Sequence, residues 1–170
     1  MNYQYPIETL ARKRGEASQL AFAQQARGAL FDSDEAVFEA HSHGLAILAA
    51  NEVAIEESAR ALRAIYGKAI EIRRPKIRCM PGDPPHEPIA QVSIRTLNDF
   101  SLAVVAELRR RGARIVEQCK RRRAFMVRAE APLASLLGLP ASLELIAGGD
   151  AAYSIRLVRY APLDPQPPAA

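Results

Sequence analysis

Cys79-Met80-Pro81-Gly82-Asp83-Pro84-Pro85-His86-Glu87 decides the fold. Its prolines and glycine break helix and strand alike. Such a segment marks a domain boundary, and the prolines favour an extended, semi-rigid joint. On either side of it, the spacing of apolar residues spells the same series of elements.

Downstream, Ile89, Val92 and Ile94 mark a strand. Asn98 stands where it would cap a helix whose inner side holds Leu97, Ser101, Val104, Val105 and Leu108, with Gly112 at its end. Ala113 to Gln118 and Ala124 to Arg128 read as a hairpin around a basic turn. Pro132 suits a first helical turn, Leu133, Leu136 and Leu137 share a face, and Pro140 interrupts that helix. Gly148-Gly149 ends the region, and Tyr153, Ile155, Leu157 and Arg159 alternate in a last strand. The closing Pro/Ala-rich residues predict a disordered tail.

Upstream, Tyr3, Tyr5 and Ile7 alternate as in a short strand, with Pro6 at an edge or a strand end. Glu16 to Leu30 reads as a helix with Leu20, Ala23, Ala26, Arg27 and Leu30 on one face. Glu35 to Ala50 reads as a hairpin turning at His41-Ser42-His43-Gly44. Asn51 caps a second helix with the stripe Ile55, Ala59, Leu62, Ile65 and Tyr66, and Gly67 stops it. Ile70 and Ile72 open the final strand. Strand-helix-strand-strand-helix-strand, written twice, predicts an α+β chain of two ferredoxin-like split βαβ (βαββαβ) domains joined by a Pro-rich linker. The expected limits are 1–79 and 87–161, with a linker at 80–86 and a tail at 162–170.

The chain has 170 residues, enough for two small domains. No apolar run is long enough for a membrane span, and Met1 to Arg14 lacks the apolar core of a secretion signal. Cys79 and Cys119 are the only cysteines, too few for a disulfide framework, so a reduced, cytoplasmic protein is expected. The net charge is +4, and its placement is uneven. Arg109, Arg110, Arg111, Arg114, Lys120, Arg121, Arg122 and Arg123 form a basic run that reads either as a contact for phosphate on RNA or as a solvated helix end and hairpin tip. A strand of roughly 20 Å separates the helix end from the hairpin tip, which predicts two patches. Few aromatic residues interleave the arginines, against stacking recognition of single-stranded RNA.

The second half resembles the C-terminal domain of elongation factor G. The resemblance rests on Glu87-Pro88-Ile89 with Val92 and Ile94, and on Leu108-Arg109-Arg110-Arg111-Gly112. It continues through Ala129-Glu130-Ala131-Pro132-Leu133, Gly138, Ser142-Leu143, and Gly149 with Tyr153. The first half is similar to the third domain of the same factor, notably Gly67-Lys68-Ala69-Ile70-Glu71-Ile72-Arg73-Arg74-Pro75. The resemblance implies domains III and V, with the GTPase and domain IV absent. No Gly-x-x-x-x-Gly-Lys-Ser/Thr occurs in the sequence. The chain departs from the family pattern at Glu144 and at Gly148-Gly149-Asp150, where the family usually carries arginines.

Other chemistry is thinly represented. His41 and His43 offer two ligands on a turn and no third, which favours solvated histidines over a metal site. Cys119 has no nearby histidine, and Glu56 and Glu57 point in different directions on a helix. No nucleophile, base and orienter converge, so no enzyme, cofactor or metal is expected. The expectation is a non-catalytic protein associated with the ribosome, rRNA or translation. The alternative is a protein-interaction or homodimer module that uses its sheets, without a membrane.

Overall fold

The computed structural model describes residues 3–163 and divides the chain into two compact units, 1–78 and 79–170. Both are mixed α+β units with an antiparallel four-strand core sheet. Among the described residues, no helix is long and apolar enough to cross a membrane.

The first unit runs β1 (Ile7–Lys13), α1 (Gln19–Ala29), β2 (Ala36–His41), β3 (Gly44–Ala49), α2 (Glu52–Tyr66), β4 (Ile70–Ile72) and β5 (Lys76–Ile77). Its sheet order is β2-β3-β1-β4, with β5 paired to the start of β1. Strand alternation sets the register. Ile7, Thr9 and Ala11 oppose Ala49, Ile47 and Leu45, and all six are buried. Phe22, Ala23 and Ala26 of α1 and Ile55, Ala59 and Leu62 of α2 supply the buried helical faces. Each large side chain fully buried there contributes about 1.5–3 kcal/mol relative to exposure. Phe22 also meets Tyr66 edge-on, with ring centroids 5.3 Å apart.

Helix α1 starts later than its periodicity predicts. The Ser18 hydroxyl accepts from the Ala21 N–H, which fixes the start beyond Glu16. That phase buries Phe22 and leaves Leu20 outside, 41% exposed. β1 begins only after Pro6, whose carbonyl accepts from the Arg78 N–H, and it lies inside the sheet between β3 and β4. Asn51 does cap α2, accepting from the Ala54 N–H at 2.9 Å.

The second unit runs β6 (His86–Leu97), α3 (Ser101–Arg110), β7 (Arg114–Arg121), β8 (Ala124–Pro132), α4 (Leu133–Leu136), α5 (Leu139–Ala147) and β9 (Ala152–Pro162). The order β7-β8-β6-β9 repeats the first unit's topology. Val92, Ile94 and Thr96 face the core beside Ala129, Val127 and Phe125. Val104 and Leu108 of α3 and Leu139 and Leu143 of α5 are buried as well.

The joint is more ordered than an extended linker. Met80 and His86 exchange backbone hydrogen bonds of 2.8 and 3.0 Å, and β6 already begins at His86. Pro140 does not break a helix. The break falls at Leu137-Gly138, where Gly138 is left-handed at φ +79°, and Pro140 sits in the first turn of α5. β9 continues to Pro162, into the segment expected as tail; residues 164–170 of that tail lie outside the described residues.

Gly44 starts β3 at φ +140°, and a Cβ there would collide with the Ala11 carbonyl oxygen. Gly28 in α1 has open space around the same position. Gly44→Ala is expected to cost about 2 kcal/mol, whereas Gly28→Ala stabilises by up to about 1 kcal/mol. Urea denaturation of the two variants checks both signs.

Candidate nucleic-acid interface

The basic run falls on three elements of the second unit. Arg109 and Arg110 end α3, Arg111 follows it, and Arg114 opens β7. Lys120 and Arg121 close β7, while Arg122 and Arg123 form the two-residue turn into β8. The sequence places the turn more broadly, because Lys120 and Arg121 look like loop residues. In the structure they pair with Phe125 and Ala124 as the last rungs of the ladder.

Arg122 takes the left-handed backbone, with φ +38°. Tight hairpin turns require that region, and a side chain other than glycine adopts it at a cost of about 1 kcal/mol or more. Asn98 offsets that cost. Its side-chain amide donates to the Arg122 carbonyl, and its backbone N–H donates to the Arg123 carbonyl at 2.9 Å. Asn98 therefore does not cap α3 as its position predicts. A short 3-10 turn over Asn98–Phe100 intervenes before the helix, and the amide is turned to the hairpin tip instead.

At the other end, Arg110 and Arg111 are committed to the fold. The Glu107 carboxylate receives Arg110 Nη2 and Arg111 Nε, each at 2.7 Å. Arg111 Nη1 also donates to the carbonyls of Ser135 and Leu137, at 3.0 and 2.8 Å, and Nη2 to Ser142 Oγ at 3.0 Å. The Arg111 and Glu107 side chains are each only 12% exposed. Together they tie the end of α3 to α4, to α5 and to Leu137 between them. Arg114 bonds Glu130 at 3.0 Å, an exposed guanidinium on a carboxylate that Arg159 shares at 3.1 Å.

The candidates thus separate by their partners. Arg110, Arg111 and Arg114 have acidic ones. Among the described residues, the side chains of Lys120, Arg121, Arg122 and Arg123 have none, and all four are exposed. Arg109 is likewise exposed, with no acidic partner among the described residues. The tip lies beside Asn98, at the start of α3, and Arg109 to Arg111 lie at its end. Ten helical residues put about 15 Å between these groups. The basic residues therefore occupy two places rather than one; among the described residues, the tip gathers four free cations, and Arg109 is the free cation at the other end.

The tip presents exposed cations whose charge is complementary to phosphate. Among the described residues, no three His, Cys, Asp or Glu side chains gather in a metal-binding group. His41 is exposed and lies 3.3 Å from Glu39, and His43 is exposed on the same turn. Cys119 is a free cysteine on β7.

Two split βαβ units, one carrying a free basic hairpin, define a ferredoxin-like α+β protein. Residues 85–170, about half of the chain, match the family model described as the elongation factor G C-terminus, and the chain belongs to that family. The second unit accordingly has a translation-factor-related fold. A crystal structure of a protein from Thermus thermophilus is similar over 94% of this chain, with a TM-score of 0.63 and 14% sequence identity. That likeness concerns the fold alone, and this chain covers 41% of the other. Comparison with curated proteins gives no match.

The paired arginines shift their partner. Hydrogen bonding from Arg110 holds the Glu107 carboxyl down at about 2, against burial, which raises it, and with further help from Arg111. A lowered carboxylate pKa stabilises the fold above the unfolded value of 4.5 and loses that contribution as pH falls through about 2. Glu107→Gln is therefore expected to be about 2 kcal/mol less stable than the parent at neutral pH. The gap should narrow steadily in denaturation curves taken between pH 4.5 and 2.

Proposed function

We propose that this protein is a non-catalytic, elongation factor G-like protein that associates with the ribosome through rRNA, using the basic hairpin tip of its second unit. The observation that carries the reading is the cluster Lys120, Arg121, Arg122 and Arg123. It is exposed, free of acidic partners among the described residues, and held in one shape by Asn98. Its place in a unit of the elongation factor G C-terminal family supports a partner in translation. The sequence holds no phosphate-binding loop, so the reading includes no GTPase activity and acts by binding alone. A cytoplasmic location follows from this partner.

A preset cationic tip suits phosphate because each neutralised phosphate releases counterions, and the turn is ordered before binding. Such binding weakens steeply with salt. Co-sedimentation with ribosomes at low salt tests the reading. The parent is expected in the ribosomal pellet, and Arg121→Glu/Arg122→Glu/Arg123→Glu is expected to bind at least about tenfold more weakly with an unchanged melting curve. Equal sedimentation of both proteins would remove the tip from the account.

A further inference from the structure

The strand alternation that buries Val92 and Ile94 turns Gln91, Ser93 and Arg95 to the opposite, helix-free side of the sheet. Met126, Arg128 and Glu130 of β8 oppose them there. Glu117 and Cys119 of β7 join by register, as do Ala152, Ser154 and Arg156 of β9. A shallow hollow of about 320 Å³ lies over this face, lined by Ser93, Arg95, Cys119, Met126, Arg128 and Ser154. Met126, one of its lining residues, is 50% exposed.

The charge on this face is one-sided. Arg95, Arg114, Arg121, Arg128 and Arg156 belong to it, and Arg159 reaches it through Glu130. The acidic residues there, Glu117 and Glu130, are already engaged: Glu117 by Arg128 at 3.1 Å, Glu130 by Arg114 and Arg159. Arg159, then Arg114, hold the Glu130 carboxyl below its ordinary range. Among the described residues, Arg95 and Arg121 have no side-chain partner. Register places them two strands apart and two residues along, about 12 Å between backbones.

We propose that the helix-free face of the β7-β8-β6-β9 sheet is a second RNA contact, which follows phosphate backbone through Arg95 and Arg121 without reading base identity. The proposal rests on the RNA association argued above and adds a surface to it. Arg121 belongs to both regions, so the tip and the face form one continuous cationic track. Tyr153 is the one aromatic residue that lines the hollow. A single ring makes no row of platforms for successive bases, so phosphate is the group this face can hold along its length. A peptide partner would need deep apolar anchors or a free strand edge. This face supplies a methionine and a row of spaced guanidinium groups, which a polyanion satisfies with a few nucleotides.

Fluorescence anisotropy with a labelled single-stranded RNA of about twelve nucleotides tests this. Arg95→Ala is expected to weaken binding about threefold and to lower the salt slope by roughly one, equally for purine and pyrimidine sequences. Arg95→Glu is expected to lose about tenfold, and neither variant breaks a side-chain contact of the fold. Full affinity in the face variants, with loss only in Arg122→Glu/Arg123→Glu, overturns the second contact and leaves the hairpin reading intact. A parent protein that binds no RNA overturns both. Displacement by polyglutamate as effective as by RNA of equal charge also overturns the proposal, since it marks a surface for acidic proteins.

Discussion

In the second unit, every other residue of β6 and β8 is committed to the core. Val92, Ile94 and Thr96 face inward beside Phe125, Val127 and Ala129, and a slip of one residue would turn all of them to water. Losing several large side chains from the core at about 1.5–3 kcal/mol each exceeds the whole stability of a small domain. The register is therefore fixed by the core. Once it is fixed, Ser93, Arg95, Met126 and Arg128 have only the opposite side to occupy. The charged face is a consequence of packing, and any function it has is built on positions the core left over.

A second division runs through the arginines. Arg110 and Arg111 hold the fold at the end of α3: Arg111 reaches one carboxylate, two carbonyls and a hydroxyl, and it is almost wholly covered. A guanidinium suits that task because its planar fork serves several acceptors at once. The tip residues do none of this work. Their backbone is held by Asn98 while their charged ends remain in solvent. Local charge density in the sequence is the same in both places, and acceptors within reach are what distinguish Arg110 and Arg111 from the tip residues.

Much of the fold was legible in one dimension. The β2-β3 hairpin, the Asn51 cap and the doubled element order follow from period-two and period-3.6 spacing with turn residues between. Errors arose where a local signal had two uses. Asn98 reads as a helix cap, yet the intervening 3-10 turn frees its amide for the hairpin across 24 residues of chain. Leu20 and Phe22 both fit an apolar stripe, and only the Ser18 cap sets the phase. Lys120 and Arg121 read as loop because exposed charge at the end of an edge strand resembles a turn. The open face is hidden in the sequence for a related reason. Arg95, Arg128 and Arg156 stand alone in sequence and form no run, and only the register assembles them.

The claim beneath all of this is that Cys119 of β7 and Met126 of β8 lie directly opposite each other on the helix-free face. Opposed residues in antiparallel strands sit about 4.5–5.5 Å apart, within the span of a disulfide. Mass spectrometry after mild oxidation measures this directly in a Cys79→Ser background. Met126→Cys should form an intramolecular disulfide with Cys119, and Phe125→Cys, whose side chain points to the core, should not. A disulfide in the second variant and none in the first would contradict the register, and with it the face and the track built upon it.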